Sequence, residues 1–379
     1  MLEPLPVAQI NTPPEQIDLG RGDPQLALLP LDVLRRAAAD RLSQSDNTFL
    51  QYGTEQGDGY LRRALASFLG AHYGFEIDPA ALFITSGISA ALDLLCTLFT
   101  KPGDTILVEE PSYFLALRIF ADRGLRVIPA PMDGEGLVVD VLCRLLELHR
   151  PRFLYLIPVF QNPTGRTLSE DRRRALLELA HQHDLLLIAD EVYQLLSYTT
   201  TPPRSFAFHT DHANVIALGS FSKILAPGLR LGWLHANPTV IKRLASCGLL
   251  DSGGGMNPFT SAIVRGVVEE GDLERNISRL VGIYTERVTA MGAALRRCLP
   301  QAEFAAAQGG YFFWVRLPGI DTQELRSRAP AHQVDFRPGS LFSSAGGLHD
   351  YMRLGISFYD ARELEQGVQR LAELLGSDS

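Results

Sequence analysis

Through its middle the chain alternates short apolar runs with longer stretches of helical periodicity. Leu82-Phe83-Ile84-Thr85 precedes a periodic stretch at 89–99, and Thr105-Ile106-Leu107-Val108 precedes another at 113–123. An apolar run at 152–158 leads into a charged helical pattern at 169–183, and Ser169-Glu170-Asp171 suits the start of that helix. Further apolar runs stand at 185–189 and 215–218. Runs that are apolar throughout, rather than alternating, predict strands buried on both faces. With helices between them, they predict an α/β fold with a mostly parallel sheet covered on both sides.

The ends of the chain read differently. Residues 30–45 and 273–298 are helical in pattern, 312–317 and 351–358 alternate like half-buried strands, and a last helix spans 360–375. This predicts a smaller α+β domain built from 1–45 and 281–379, beside a large domain at 46–280. The length of 379 residues suits two domains. Thirty-five Lys+Arg against 43 Asp+Glu leave a net charge of −8, so there is no basic excess to neutralise phosphates, and nucleic acid is not an expected partner. The opening MLEPLPVAQI has no basic segment leading into an apolar core, and no uncharged apolar stretch approaches the roughly 18 residues of a membrane span. Cys96, Cys143, Cys247 and Cys298 stand too far apart for a CxxC pair. Free thiols, a cytoplasmic location and no membrane partner are the expectation.

In open α/β sheets ligands bind beyond the carboxyl ends of the strands, so the residues at those ends belong together. They are Ser86-Gly87-Ile88-Ser89 opening a helix, Glu109-Glu110-Pro111-Ser112-Tyr113, Gln161-Asn162-Pro163-Thr164-Gly165, Asp190-Glu191-Val192-Tyr193, and Ser220 with Ser222 and Lys223. Each alone has a plain reading: a surface lysine, a solvated acidic pair, a turn, a core tyrosine. Together they describe a pyridoxal phosphate site. Lys223 would form an imine with the cofactor aldehyde and later shuttle a proton at the substrate Cα. Asp190 would hold the pyridine nitrogen protonated. Asn162 and Tyr193 would bond the ring oxygen, and Tyr113 would stack on the ring. The amides of Gly87, Ile88 and Ser89 would bind the phosphate, with Ser220, Ser222 and Arg230 beside them.

The ordered set resembles the class I/II aminotransferases of the type I pyridoxal phosphate fold. The stretch from Ser220 to Gly232 matches S-x-S-K-x-x-x-P-G-x-R-x-G, with Lys223 and Arg230 in place. Asn162-Pro163-Thr164-Gly165 and Ala189-Asp190-Glu191-Val192-Tyr193 precede it in the family order. The run 151–158 followed by Gln161-Asn162-Pro163 is similar to the 2-aminoadipate aminotransferase and MocR-type branch. MocR regulators carry a helix-turn-helix domain ahead of this fold, and the chain, which opens on the aminotransferase segment, resembles the free-standing enzymes. The resemblance implies a seven-stranded type of large sheet and transfer of an amino group from an L-amino acid to a 2-oxo acid, with 2-oxoglutarate as the expected acceptor, by a ping-pong mechanism through a Lys223 imine. It implies a homodimer with sites at the interface, where Tyr52 reaches the neighbouring phosphate. It also implies that Gly22 closes over substrate and that Arg353 grips the α-carboxylate.

Two departures stand out. The phosphate loop reads Ser86-Gly87-Ile88-Ser89-Ala90-Ala91, poorer in side-chain donors than the branch, and Arg337 precedes the usual Pro-Gly. Arg337 and Arg21 are each either surface residues or readers of an acidic substrate side chain. Phe49, Tyr52 and Tyr311 are further candidates for the side-chain pocket. His181 and His183 lie two apart in a helical pattern and face different sides, so no metal site is expected. A lyase or decarboxylase on the same fold, and a non-catalytic effector-binding module, remain the alternatives.

Overall fold

The computed structural model of the protein describes residues 12–199, 201–210 and 214–376. The segment MLEPLPVAQI, where no leader is expected, lies outside the described residues. An eight-stranded sheet forms the centre of the large domain. Across it stand Leu82–Thr85, Gly232–His235, Val215–Ser220, Leu186–Asp190, Phe153–Leu156, Thr105–Glu110, Arg126–Asp133 and the two-residue Gly136–Leu137. The run from Val215–Ser220 to Arg126–Asp133 is parallel, while Gly232–His235 is antiparallel to both neighbours. The mostly parallel sheet read from the sequence is therefore present.

The register explains why those strands are apolar throughout. Val108, Tyr155, Ile188 and Ile216 lie side by side on one face, and Leu107, Leu154, Leu187 and Val215 on the other. All are fully buried, in two separate clusters. The first cluster takes in the apolar faces of helices Ile88–Phe99 and Phe114–Asp122, the second those of Val139–His149 and Glu170–Gln182. Each buried aliphatic side chain contributes about 1.5–3 kcal/mol, so both faces must be covered for the sheet to stand. Ser169 caps Glu170–Gln182 by position, without a side-chain bond, and the acidic first turn of Glu170 and Asp171 complements the helix dipole. Two strands escape the apolar pattern. Arg126–Asp133 lies toward the sheet edge and is largely exposed or half-buried, and Gly232–His235 is short and opens on a glycine.

A second sheet, antiparallel, orders Glu303–Phe304, Phe312–Arg316, Tyr351–Gly355 and Arg337–Pro338. Helices Asp272–Cys298 and Ala361–Gly376 pack together in this part of the molecule, and the first of them is continuous through position 280. The start of the described chain is stitched to the end of it. Ile17–Asp18 pairs in parallel with Val334–Asp335, the Gly355 amide donates to the Leu19 carbonyl at 2.5 Å, and the Gln25 amide donates to the Ser357 carbonyl at 3.0 Å. Residues 18–23 are thereby laid across the small sheet, facing the strand ends of the large one. Among the described residues no helix is long and apolar enough to cross a membrane.

Candidate active site

Lys223 follows the strand Val215–Ser220, whose neighbour Leu186–Asp190 ends in Asp190. The Lys223 amine is not out in water. Its Nζ donates to the Gly22 carbonyl at 2.6 Å and lies 5.2 Å from the Tyr311 ring centroid. The Tyr311 hydroxyl donates to the Lys223 carbonyl at 3.1 Å, fixing the turn that carries the lysine. Burial pulls the amine down to about 8 from its usual 10.5, opposed by the Asp23 and Asp190 carboxylates and assisted by Arg353.

Asp190 is buried at the end of its strand. The Tyr155 hydroxyl donates to its Oδ2 at 2.8 Å and the Val192 amide approaches Oδ1 at 3.4 Å, and neither donor is a cation. Burial lifts this carboxyl to about 6. Tyr193 is buried, with ring centroids 5.5 Å from Tyr311 and 6.2 Å from Phe312. Tyr113 precedes helix Phe114–Asp122, and burial pushes its phenol up to about 12.

At the other side of Lys223, Gly87 caps helix Ile88–Phe99 with φ of +82°. A side chain there would be strained, and its Cβ would sit 2.9 Å from Arg230 Nη2. Nη2 reaches the Ser86 carbonyl at 3.4 Å, so the exposed Arg230 guanidinium lies beside the helix N-terminus with its free amides. Ser220 is buried and its Oγ accepts from the Ser222 amide at 3.1 Å. Ser222 and Ile88 are half-buried, and Ser89 is exposed. A guanidinium next to a helix N-terminus makes a place for an anion.

Arg353, on strand Tyr351–Gly355, is 4% exposed. Its Nη1 donates to Asn162 Oδ1 at 3.0 Å and its Nη2 to the Gly20 carbonyl at 2.8 Å. Neither acceptor is an anion, and among the described residues its buried Nε has no hydrogen-bond partner. The guanidinium lies 4.0 Å from the Phe312 ring centroid and 5.0 Å from that of Phe342. Burial, then the charge of nearby Arg337, pull it down to about 10, so it stays charged at neutral pH. Gly22 abuts this wall: a Cβ there would be 3.0 Å from the Phe312 ring and 3.8 Å from Arg353 Nη2.

The family model for aminotransferase class I and II matches residues 14–371. The chain belongs to this family. It is 36% identical over 370 residues to aromatic-amino-acid aminotransferase 1 of Thermococcus litoralis, covering 95% of this chain and 88% of that one. The multiple substrate aminotransferase of Thermococcus profundus superposes with a TM-score of 0.89 at 34% identity, covering 97% of this chain and 92% of that chain. The α-aminoadipate aminotransferase of Thermus thermophilus, solved with N-(5'-phosphopyridoxyl)-L-leucine, superposes with a TM-score of 0.88 at 32% identity, covering 96% and 93%. The fold of this aminotransferase is the type I pyridoxal phosphate fold, and pyridoxal phosphate is its cofactor.

The aminotransferase's own residues fit that group. The Arg230 guanidinium and the amides after Gly87 would suit a phosphate, Asp190 offers a carboxylate with no ion-pair partner among the described residues, and Lys223 is within electrostatic reach of Asp190, Arg230 and Arg353. Among the predicted residues, Tyr52 stands apart: it is 83% exposed. The structure adds contacts for residues to which sequence reasoning assigned no role. Tyr155 is the register partner of Ile188, two residues before Asp190 and on the same face, which is how its hydroxyl reaches the carboxylate. Glu109 is fully buried, and its Oε2 accepts from the Ile157 amide at 2.9 Å and Gln161 Nε2 at 3.3 Å. Gln161 also donates to the Pro111 carbonyl and accepts from Thr164, so it clamps the turn that presents Asn162. Tyr155 reads as core in the sequence, and only the strand register exposes its role.

Proposed function

We propose that this aminotransferase moves the amino group of an L-amino acid to a 2-oxo acid in two half-reactions at Lys223. The observation that carries it is a half-buried lysine amine within electrostatic reach of a buried carboxylate, Asp190, and a buried guanidinium, Arg353, neither of which has an ion-pair partner among the described residues. Bound pyridoxal phosphate supplies an aldehyde that captures amines and a ring that draws electrons from the captured carbon. Asp190 keeps the ring nitrogen protonated, and Tyr155 holds the carboxylate in place. Arg353 binds the substrate α-carboxylate, drawing two donors away from Asn162 and Gly20. Asn162 and Tyr193 would bond the cofactor's ring oxygen, and Tyr113 would pack against the ring. Gly87, Ile88, Ser89, Ser220, Ser222 and Arg230 hold the phosphate. Lys223, depressed by burial, is a base near neutral pH and carries the proton from the substrate Cα. 2-Oxoglutarate, the acceptor that the family resemblance implies, is tried beside monocarboxylic 2-oxo acids.

Residues 46–280 form the cofactor-holding part in this reading, and 1–45 with 281–379 close over it, bringing Gly22 and Arg353 to the substrate. A second copy of the chain completes the site with Tyr52. What supports this is an apolar patch on adjoining elements, where Leu42, Leu50, Tyr52, Tyr60 and Phe259 are all exposed. Four free cysteines support a reducing, cytoplasmic setting. The deciding experiment follows the absorption band of lysine-bound cofactor in purified protein. Lys223→Ala removes the band and the turnover. A variant that keeps both, or a wild type that releases ammonia or carbon dioxide instead of forming pyridoxamine phosphate and an oxo acid, overturns the reading.

A further inference from the structure

Besides Lys223 and Arg353, two cations, Arg337 opposite Arg353 on the small sheet and Arg21 next to Gly22, adjoin the site, and each is already held by an aspartate. Arg21 is buried, and its Nε and Nη2 donate to Asp23 Oδ1 and Oδ2 at 3.0 and 2.5 Å. Its guanidinium also stacks 3.5 Å from the Phe358 ring centroid, and its Nη1 donates to Thr12 Oγ1 at 3.3 Å. Arg337 donates through Nη1 and Nη2 to Asp18 Oδ1 and Oδ2 at 3.1 and 2.9 Å, and through Nη1 to Asp335 Oδ2 at 3.1 Å. Asp335 in turn accepts from Arg326 at 2.7 and 2.9 Å. The charges cancel within each group: Arg21 with Asp23, and Arg337 and Arg326 with Asp18 and Asp335.

These pairs sit against the residues that meet substrate. Arg337 is the direct cross-strand partner of Arg353, so both side chains leave the same face of the small sheet. A Cβ on Gly20, whose carbonyl accepts from Arg353, would lie 2.6 Å from Arg337 Nη1. Asp23 adjoins Gly22, whose carbonyl accepts from Lys223. The surfaces between the pairs are aromatic: Phe312 under Arg353 and Phe358 under Arg21.

We infer that Asp18 and Asp23 are specificity-determining residues: by neutralising Arg337 and Arg21 they make the enzyme prefer amino acids and 2-oxo acids with uncharged side chains over dicarboxylic ones. The inference rests on the aminotransferase reading and deepens it. Apart from Arg230 beside the helix N-terminus, the site among the described residues then offers one guanidinium without an ion-pair partner, Arg353, for one carboxylate, the α-carboxylate. To grip a second carboxylate, either arginine must leave a bidentate partner, and Asp18 would be stranded as a buried charge, one of the least favourable changes a folded protein can make. Sharing the arginine between two carboxylates sets like charges against each other.

The test uses purified, cofactor-loaded full-length protein and single-turnover half-reactions read by cofactor absorbance. Leucine, methionine and phenylalanine are compared with aspartate, glutamate and 2-aminoadipate, and their oxo acids are run in the reverse direction. Wild type favours the uncharged set by about tenfold or more in kcat/KM, the scale set by one unmet charge. Asp18→Asn and Asp23→Asn each free an arginine while keeping an acceptor oxygen, and move the ratio toward the acidic set by about tenfold. Adding Arg337→Gln to the first, or Arg21→Gln to the second, abolishes the gain. A wild-type ratio near one or reversed overturns the inference even if a variant fails to fold, and so does an Asp→Asn change that lowers both classes alike. Protein with the cofactor band that reacts with no donor of either class fails the aminotransferase reading itself.

Discussion

The two ends of the site are opposites. At the cofactor end, Asp190 and Glu109 are buried carboxyls whose bonds come from a phenol and from amides. At the substrate end, Arg353 is a buried guanidinium whose bonds go to an amide oxygen and a backbone carbonyl. Elsewhere the same residue types are paired: Arg337 with Asp18, Arg326 with Asp335. The contrast teaches that a buried ionisable group can be held by neutral donors and acceptors alone, and at the two ends of the site such groups stand beside the same lysine. In the proposed reaction Asp190 would meet a protonated ring nitrogen and Arg353 a carboxylate.

The largest effect is expected from breaking the cofactor end. Asp190→Ala would remove the charge proposed to keep the ring protonated, and turnover is expected to fall on the order of 10²–10⁴-fold while the cofactor absorbance persists. Unchanged kcat in steady-state assays would dismiss this role. Breaking the substrate end comes next. Arg353→Leu weakens the grip on the α-carboxylate by about 2–5 kcal/mol, seen as a loss of kcat/KM shared by all donors. Lysine is a poor replacement there, because it lacks the planar fork. An effect confined to one donor class would mean that Arg353 reads the side chain instead.

The lysine between the two ends sharpens the comparison by pH. With the amine lowered to about 8, its neutral, nucleophilic form grows about tenfold per unit below that pH. Uptake of pyridoxal phosphate by cofactor-free protein should quicken up to about pH 8 and then level off in stopped-flow absorbance. A rate still climbing steeply at pH 10 would place the amine in water.

The smallest effect concerns Glu109, which burial raises from about 4.5 to about 8. Between those values the folded protein holds a proton that the unfolded chain has lost. Stability contributed below pH 4.5 is therefore lost as pH rises toward 8. Glu109→Gln removes that slope, so the variant gains on wild type across the window by about 1–3 kcal/mol, read as melting temperature from pH 4.5 to 8. A constant offset between the two proteins would show that Glu109 is ionised throughout.

Much of this was legible because local chemistry announces it. Lys223, Asp190, Asn162 and Tyr193 each follow an apolar run, and the sheet rule brings such ends together. Tyr155 was not legible: it lies inside an apolar run, and only the pairing with Leu186–Asp190 turns it toward Asp190. The bond from Arg21 to Asp23 spans two positions and is of a kind that sequence can suggest, whereas Arg337 and Asp18 are 319 apart and meet only when both ends of the chain reach the small sheet. Edge position hid Arg126–Asp133 for a similar reason, since a partly exposed strand need not be uniformly apolar.

The stitching of residues 18–25 to strand Tyr351–Gly355 has a consequence for how the molecule is made. On the ribosome, the lysine, its acidic partner and the phosphate cradle emerge long before Arg353. The segment holding Gly20 and Gly22, although synthesised first, has no edge to join until Val334–Asp335 and Gly355 arrive. Contacts separated by more than 300 residues carry a high loop-closure entropy and form late. A chain cut short by its last thirty-odd residues would therefore own the buried lysine without Arg353 or an edge for its first segment to join, and the newborn enzyme completes this end of the molecule only at the close of synthesis.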